Sequence, residues 1–380
     1  MIFKFTEEQE MWRKTIRDFV EKEAPREKVR EWDMKREYPY GLFQRMADLK
    51  FFGLLIPERY GGIEGDAIDY VLLHEGLSKH SFDIGANYSI ISWGSKNILL
   101  HGNEEQKKYY LPKVIRGEIR FSFSLTEPNA GSDAAALQTS AIADGSHFII
   151  NGQKVFSSGA HIKNNIIMLP VRTDKTVPKH KGISVFLVPN DSPGITIRNL
   201  DTLARRIITT NEVFFEDVRV PRENLLGNLN AGWKYITSQL ELERVGVSAC
   251  YVGNMQTAVD DALKYSKERV QFGQPIGKFQ VIKHMLADMH TEVDASRLLT
   301  YRVAWMVKEN LPCAKEASMA KLFSSETYFK VTTMGMQILG GYAQMPEYDM
   351  ERYFRDAKQA MVGGGSSQIQ REIIGRSLGL

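Results

Sequence analysis

Apolar positions recur at a helical period over roughly the first 118 residues. They then shift to short β-rich runs and return to a helical period after Pro221. In the first zone Thr6 with Glu7 to Gln9 makes a capping-box-like start, and Phe19 and Val20 follow at helical spacing. Residues 42–49, 70–77 and 104–115 are predicted as further helices, with joints such as Gly61-Gly62 between them. The middle zone carries β-rich runs at 120–125, 147–150, 154–157, 166–171, 182–188, 195–197 and 212–220. Asn151-Gly152 between two of them is a strong two-residue hairpin signal. Asn190, Asp191, Pro193 and Gly194 mark a further turn. In the last zone Asn230-Ala231-Gly232 introduces one long helical run over 233–269, followed by runs at 280–308, 313–339 and 368–375. The pattern predicts an α+β protein. Its parts are an N-terminal all-α domain (1–118), a β-domain forming a sheet or barrel (119–228) and a C-terminal four-helix-bundle domain (229–380).

Composition adds exclusions. The chain has 380 residues, 43% hydrophobic and 25% charged, which suits a globular protein with a core of good size. Its 49 Lys and Arg against 46 Asp and Glu give a net charge of +3, spread along the chain, which argues against nucleic acid as partner. Cys250 and Cys313 sit far apart in apolar, helical surroundings and in no metal-ligand spacing. They read as buried thiols, no metal is expected, and a reducing, cytoplasmic setting follows. The start Met1-Ile2-Phe3-Lys4-Phe5-Thr6-Glu7-Glu8-Gln9-Glu10 is acidic and amphipathic, unlike a targeting peptide. No run approaches about 18 apolar residues, so no membrane span is expected.

Four runs carry chemistry. They are Leu125-Thr126-Glu127-Pro128-Asn129-Ala130-Gly131-Ser132-Asp133, Phe215-Glu216-Asp217-Val218-Arg219-Val220-Pro221, Glu268-Arg269-Val270-Gln271-Phe272-Gly273-Gln274-Pro275-Ile276, and Gln337-Ile338-Leu339-Gly340-Gly341. Their order and spacing, together with the helix–β–helix arrangement, resemble the acyl-CoA dehydrogenase family over essentially the whole chain. The resemblance implies FAD as cofactor, an acyl-CoA thioester as substrate, an electron-transfer flavoprotein as electron acceptor and a homo-oligomer, usually a tetramer. It implies that Phe123, Leu125 and Thr126 line the flavin edge, where hydrogen-bond donors tune the cofactor. Phe156 and Ser158 stand where the family has Trp-x-Thr beside the flavin; both are departures that keep a flat apolar wall and a hydroxyl. Ser132 is implied as a contact to the pantetheine arm. Arg269, Gln271 and Phe272 belong to the run that meets the FAD pyrophosphate of a neighbouring subunit, and Gln337, Gly340 and Gly341 to the nearby adenosine side. A guanidinium suits paired phosphate oxygens, and glycines let backbone approach them.

The late segment Gly363-Gly364-Gly365-Ser366-Ser367-Gln368 resembles a family signature in which a glutamate usually removes the substrate α-proton; here that position is Gly364. Ser366 and Gln368 stay on the cofactor side of that signature, and Gly364 and Gly365 on the acyl side. Relatives resembling isovaleryl-CoA dehydrogenase carry the base on a long central helix, immediately before an arginine. Leu240-Glu241-Leu242-Glu243-Arg244 places Glu243 there, with Leu240 and Arg244 toward the bound thioester. Helical geometry agrees: Ile236, Leu240, Glu243, Val247 and Cys250 share one stripe. The neighbours of Glu243 three and four away are Gln239, Leu240, Gly246 and Val247, none a cation, and Gly246 leaves space beside it. A carboxyl so placed should have a raised pKa, as a general base requires. Glu241 is expected to pair with Arg244 at i,i+3. With the base relocated, the bare glycine wall suggests a branched, cyclic or aromatic-substituted acyl group. Reduction of an enoyl-CoA in the reverse direction, an oxidase, and a catalytically inactive acyl-CoA-binding homologue are the competing readings.

Overall fold

The computed structural model describes residues 4–238 and 240–380. Met1, Ile2, Phe3 and Gln239, read above as part of the acidic start and as a neighbour of Glu243, lie outside them. The helices before the sheet are α1 (Glu7–Glu23), α2 (Arg26–Lys35), α3 (Tyr40–Asp48), α4 (Ala67–Leu77), α5 (Phe82–His101) and α6 (Glu104–Ile115). The strands are β1 (Arg120–Phe123), β2 (Ser140–Asp144), β3 (His147–Ser158), β4 (Asn165–Arg172), β5 (Ile183–Pro189), β6 (Ile195–Leu200) and β7 (Thr210–Pro221). After them come α7 (Gly232–Thr237), α8 (Leu240–Glu268), the short strands β8 (Val270–Gln271) and β9 (Gln274–Pro275), then α9 (Gln280–Lys308), α10 (Ala314–Leu339), α11 (Met350–Ala360) and α12 (Ser367–Ser377). The architecture is α+β, with helical parts before and after a middle β-part along the chain.

The chain divides into two compact units. One gathers the chain up to Lys35, Asp66–Ala86 and Glu241–Leu380. Its core is apolar, built on Val252, Met255, Val259, Met289, Tyr328 and Tyr353. Helix α1 starts as expected: the Thr6 hydroxyl accepts from the Gln9 N–H and the Gln9 side chain accepts from Thr6 N–H. Helix α2 was not foreseen, because ions rather than an apolar stripe hold it. Arg26 pairs with Asp261 at 2.7 Å, Arg30 with the fully buried Asp349 at 2.8 Å, and Asp33 with Arg355 at 2.7 Å. Both cysteines are buried.

The second unit spans Arg36–Gly65 and Asn87–Leu240 and holds the sheet. Seven strands run in the order β1-β4-β2-β3-β7-β6, with β5 also paired to β4. Phe148, Ile150, Ile167, Leu169, Phe186 and Phe215 fill its core. Two expectations are corrected here. Asn151-Gly152 is no hairpin. Strand β3 runs straight through it, with a register shift between Ile150 and Gly152, and the turn into β3 comes earlier, at Gly145. Gly152 serves a close approach instead: a Cβ there would lie 2.6–2.8 Å from Thr139 atoms. The run 233–269 is likewise not one helix. The hydroxyls of Thr237 and Ser238 donate back to carbonyls of Trp233 and Tyr235, at 3.0 Å each, and close α7 before α8 begins. Ile236 therefore does not share a helix with Glu243.

Candidate functional site

In the sheet unit, β1 delivers the segment expected at the flavin edge. Phe123 ends the strand with its ring 4.5 Å from that of Trp93. The next turn is fixed from behind. Lys154 on β3, fully buried, donates to Glu127 at 2.8 Å and to the Leu125 carbonyl at 3.2 Å. The backbone N–H groups of Gln138 and Thr139 donate to the same carboxylate at 2.6 and 2.9 Å. Burial works against ionising Glu127, but Lys154 and these donors outweigh it and hold the carboxylate below its usual range. Burial pushes Lys154 down to about 8 against the pull of Glu127. Val155 N–H donates to the Thr126 carbonyl at 2.8 Å, so the turn and β3 are tied side by side.

Beside that tie, Phe156 adopts φ +58° within an irregular stretch of β3 and leaves 64% of its surface exposed. An aromatic residue in the left-handed region is costly and sets the ring off the regular strand. Ser158 lies two residues on, paired with Thr210. Ser132 is exposed, next to Asp133, whose carboxylate holds Lys179 at 2.7 Å. An exposed flat ring beside a rigid turn whose Leu125 and Thr126 remain part-exposed fits the edge of a flavin.

In the helical unit, the first turn of α8 carries Glu243 and Arg244. The Glu243 carboxylate lies against Gly364: a Cβ at Gly364 would stand 3.1 Å from Oε1. Gly364 has φ +64°, so this bare position also suits a conformation that side chains disfavour. The residue keeps some exposure, yet Oε2 is sealed from solvent and has no hydrogen-bond partner among the described residues. Burial pushes its pKa up, outweighing the opposing charges of Arg244 and Lys321. Arg244 is buried, and its Nε finds no partner among the described residues. Burial lowers its pKa, against the pull of Glu243 and Glu241.

Two local expectations fail. No hydrogen bond or ion pair joins Glu241 to Arg244 among the described residues, because the arginine is buried while Glu241 stays part-exposed. The space at Gly246 is filled, since a Cβ there would meet the Tyr70 ring and hydroxyl at 3.0 Å and His74 Nε2 at 3.1 Å. His74 is fully buried, which drives its pKa down to about 3 and keeps the ring neutral.

The glycine loop is pinned by two side chains that the motif reading missed. Lys321 on α10, fully buried, donates to the carbonyls of Ala360 at 3.0 Å and Gly365 at 2.8 Å. Gln370 on α12 donates to those of Gly364 at 3.2 Å and Gly365 at 3.1 Å. Ser366 caps α12, accepting from Ile369 N–H at 3.4 Å, and Gln368 is exposed. A signal for Lys321 was present: it shares a helical stripe with Ala317, Ser324 and Tyr328, all buried. Leu240 is the first residue of α8 and is part-exposed.

The cofactor motifs after α8 meet at a third place in the helical unit. Arg269, Gln271, Gly340 and Gly341 line one open pocket of about 510 Å³ with Tyr265 and Tyr342. Apart from their chain neighbours, no described residue comes within 4 Å of a Cβ built on either glycine, which leaves this side of the backbone open. An arginine, exposed glycine backbone and tyrosine rings fit a phosphate-linked aromatic group. Gln337 and Phe272 are exposed outside this lining; Phe272, at the β8–β9 tip, is 94% exposed and stands edge-on to Phe279.

Comparison with known proteins covers the whole chain. Family models described as acyl-CoA dehydrogenase N-terminal, middle and C-terminal domains match residues 6–118, 122–218 and 230–379. A Bacillus subtilis protein named as a probable acyl-CoA dehydrogenase is 42% identical over 381 residues, covering 100% of both chains. The caffeyl-CoA reductase–Etf complex subunit of Acetobacterium woodii is 37% identical, over 97% of this chain and 98% of that one. The solved structure of butyryl-CoA dehydrogenase from Megasphaera elsdenii superposes with a TM-score of 0.95 at 34% identity, over 100% of both chains.

Proposed function

Because the chain belongs to the acyl-CoA dehydrogenase family of flavin-dependent oxidoreductases, we propose that it binds FAD and forms the α,β-double bond of an acyl-CoA thioester with Glu243 as the base. The observation that carries this reading is the carboxylate of Glu243 lying against Gly364, the position where most of the family has its base. The two alternative origins of the base thus converge on one spot, so moving the residue keeps the chemistry in place. This supports placing the chain with the isovaleryl-CoA-dehydrogenase-like members.

Glu243 takes the α-proton on a carboxylate oxygen while the β-hydrogen leaves with its electron pair. When bound, FAD supplies the acceptor for that hydride. A sealed carboxylate oxygen without hydrogen bonds is a stronger base than a solvated one. Buried Arg244, whose Nε has no partner among the described residues, offers a cation to the thioester ligand. The exposed Phe156 ring and the braced Leu125–Thr126 backbone would hold the flavin edge, while Arg269 with Gly340 and Gly341 would meet the phosphate and adenosine side of the FAD of a neighbouring subunit. Ser132 is read as the pantetheine contact. Electrons then pass to an electron-transfer flavoprotein, and the protein is read as a cytoplasmic homotetramer. The Acetobacterium woodii relative, named as part of an Etf complex, supports the acceptor.

With no side chain at Gly364 to reach past Glu243, the reading favours an acyl group that is branched, cyclic or aromatic-substituted. That same relative is named a reductase, which favours a second reading: enoyl-CoA reduction. The same residues serve it, with Glu243 returning the proton. Anaerobic mixing of the purified flavoprotein with butyryl-, isovaleryl-, cyclohexanecarboxyl- and phenylpropionyl-CoA tests the assignment through bleaching of the flavin. Bleaching is expected, fastest with the bulky thioesters. No bleaching by any saturated thioester, with reoxidation of the reduced protein by enoyl-CoAs, would favour the reductase; a clear preference for butyryl-CoA would sink the bulky-substrate reading.

A further inference from the structure

Lys321 is an unusual residue to find where it is. It is fully buried, and its hydrogen-bond acceptors are the two main-chain carbonyls of Ala360 and Gly365. No ion pair engages it among the described residues. A buried ammonium is expensive unless an anion answers it. Clamping two carbonyls alone does not call for a charge, since Gln370 does the same work on Gly364 and Gly365 with a neutral amide.

We propose that Lys321 is a positioning residue for Glu243: it fixes the glycine loop that faces the carboxylate and supplies the cation, from a second helix, that favours the ionised base. The inference rests on Glu243 being the base. Gly364 and Gly365 both have left-handed backbone, at φ +64° and +85°. Glycine adopts such a backbone without strain but leaves it as readily, so the loop is held by its anchors, and Lys321 bonds the carbonyls of Ala360 and Gly365 on either side of Gly364. Arg244 on α8 and Lys321 on α10 are the cations acting on Glu243. Helix α4 presents Tyr70 and the neutral His74 near Gly246. The loop and α12 contribute Ser366 and Gln370, both uncharged. The other carboxylate acting on Lys321 is Glu326, already held by Arg371 in two hydrogen bonds of 2.8 and 2.9 Å. Burial brings Lys321 down to about 8, with Glu243 the group that opposes this most.

The test reads the ionisation of Glu243 directly, without a substrate. Infrared difference spectra across a pH titration are recorded on the FAD-bound protein, and the protonated-carboxyl band lost in Glu243→Gln is assigned to Glu243. Lys321→Gln keeps a donor and removes the charge; Lys321→Met removes both. The midpoint of the band is expected to rise by about one pH unit or more in both variants, a tenfold or greater gain in proton affinity. Amide exchange at residues 361–366 is expected to accelerate more in Lys321→Met than in Lys321→Gln. A wild-type midpoint in a folded Lys321→Gln protein overturns the proposal. So does failure of both variants to accumulate as folded flavoprotein, which would make Lys321 a core residue only. The underlying reading fails separately: it falls if Glu243→Gln reduces flavin at the wild-type rate, whatever the infrared midpoints show.

Discussion

Glu243 and Gly364 form a pair whose members constrain each other. An L-residue at φ +64° costs roughly 1–2 kcal/mol, and a Cβ at 3.1 Å from Oε1 would also crowd the carboxylate. Gly364→Ala should therefore lower stability by about that amount in denaturant unfolding and slow flavin reduction in the same protein. Wild-type behaviour in both would mean that the loop is free to move. The raised pKa of Glu243 has two consequences of opposite sign. As a base it works only when ionised, so flavin reduction should fall as pH drops through its folded pKa. For stability, the folded state holds this proton more tightly than the unfolded one. The contribution is full below the ordinary carboxyl range and is lost as pH rises through the raised value. The stability of wild type relative to Glu243→Gln should thus decline with rising pH across that window, and thermal unfolding at several pH values would show it. The raised pKa of this residue was legible before the structure, since an acid within an apolar helical stripe stands out. That Glu241 and Arg244 do not pair among the described residues was not, because spacing reports which residues can meet and burial decides whether they do.

At the scale of elements, the long amphipathic helices α9, α10 and α12 followed from their apolar period, and most strands from their β-branched runs. The failures have particular causes. In α5, apolar and small polar residues lie on every side, with Gly85 and Gly94 among them, so no stripe marks it as a helix. In α2 the anchoring residues are charged. Asn151-Gly152 is a turn signal that strand pairing overrode, because Gly152 is needed where Thr139 comes close. The Lys154–Glu127 pair braces β3 against the turn after β1, and neither partner alone suggested it. Lys154→Met would leave Glu127 buried without its cation. That change should cost about 3–5 kcal/mol, with loss of bound FAD on dilution as the accompanying sign. Unchanged unfolding and full FAD retention would show that the backbone donors to Glu127 suffice.

At the scale of the whole molecule, the helix–β–helix order and the family were legible, because four motifs fall in family order along one chain and the family models then cover nearly all of it. Which helices share a core was not legible. Sequence order puts α1 to α6 together, whereas α1, α2 and α4 belong with the C-terminal helices and α3 and α6 with the sheet. Nor did any motif announce the loop clamp by Lys321 and Gln370, which brings α10 and α12 to the glycine segment. The central claim is that the chain is a working dehydrogenase whose base sits at Glu243. Its most direct test is the anaerobic single-turnover rate of flavin reduction in Glu243→Gln against wild type, using whichever thioester bleaches the wild-type flavin fastest. The account predicts a loss of at least about a hundredfold with FAD still bound; reduction at the wild-type rate would contradict it.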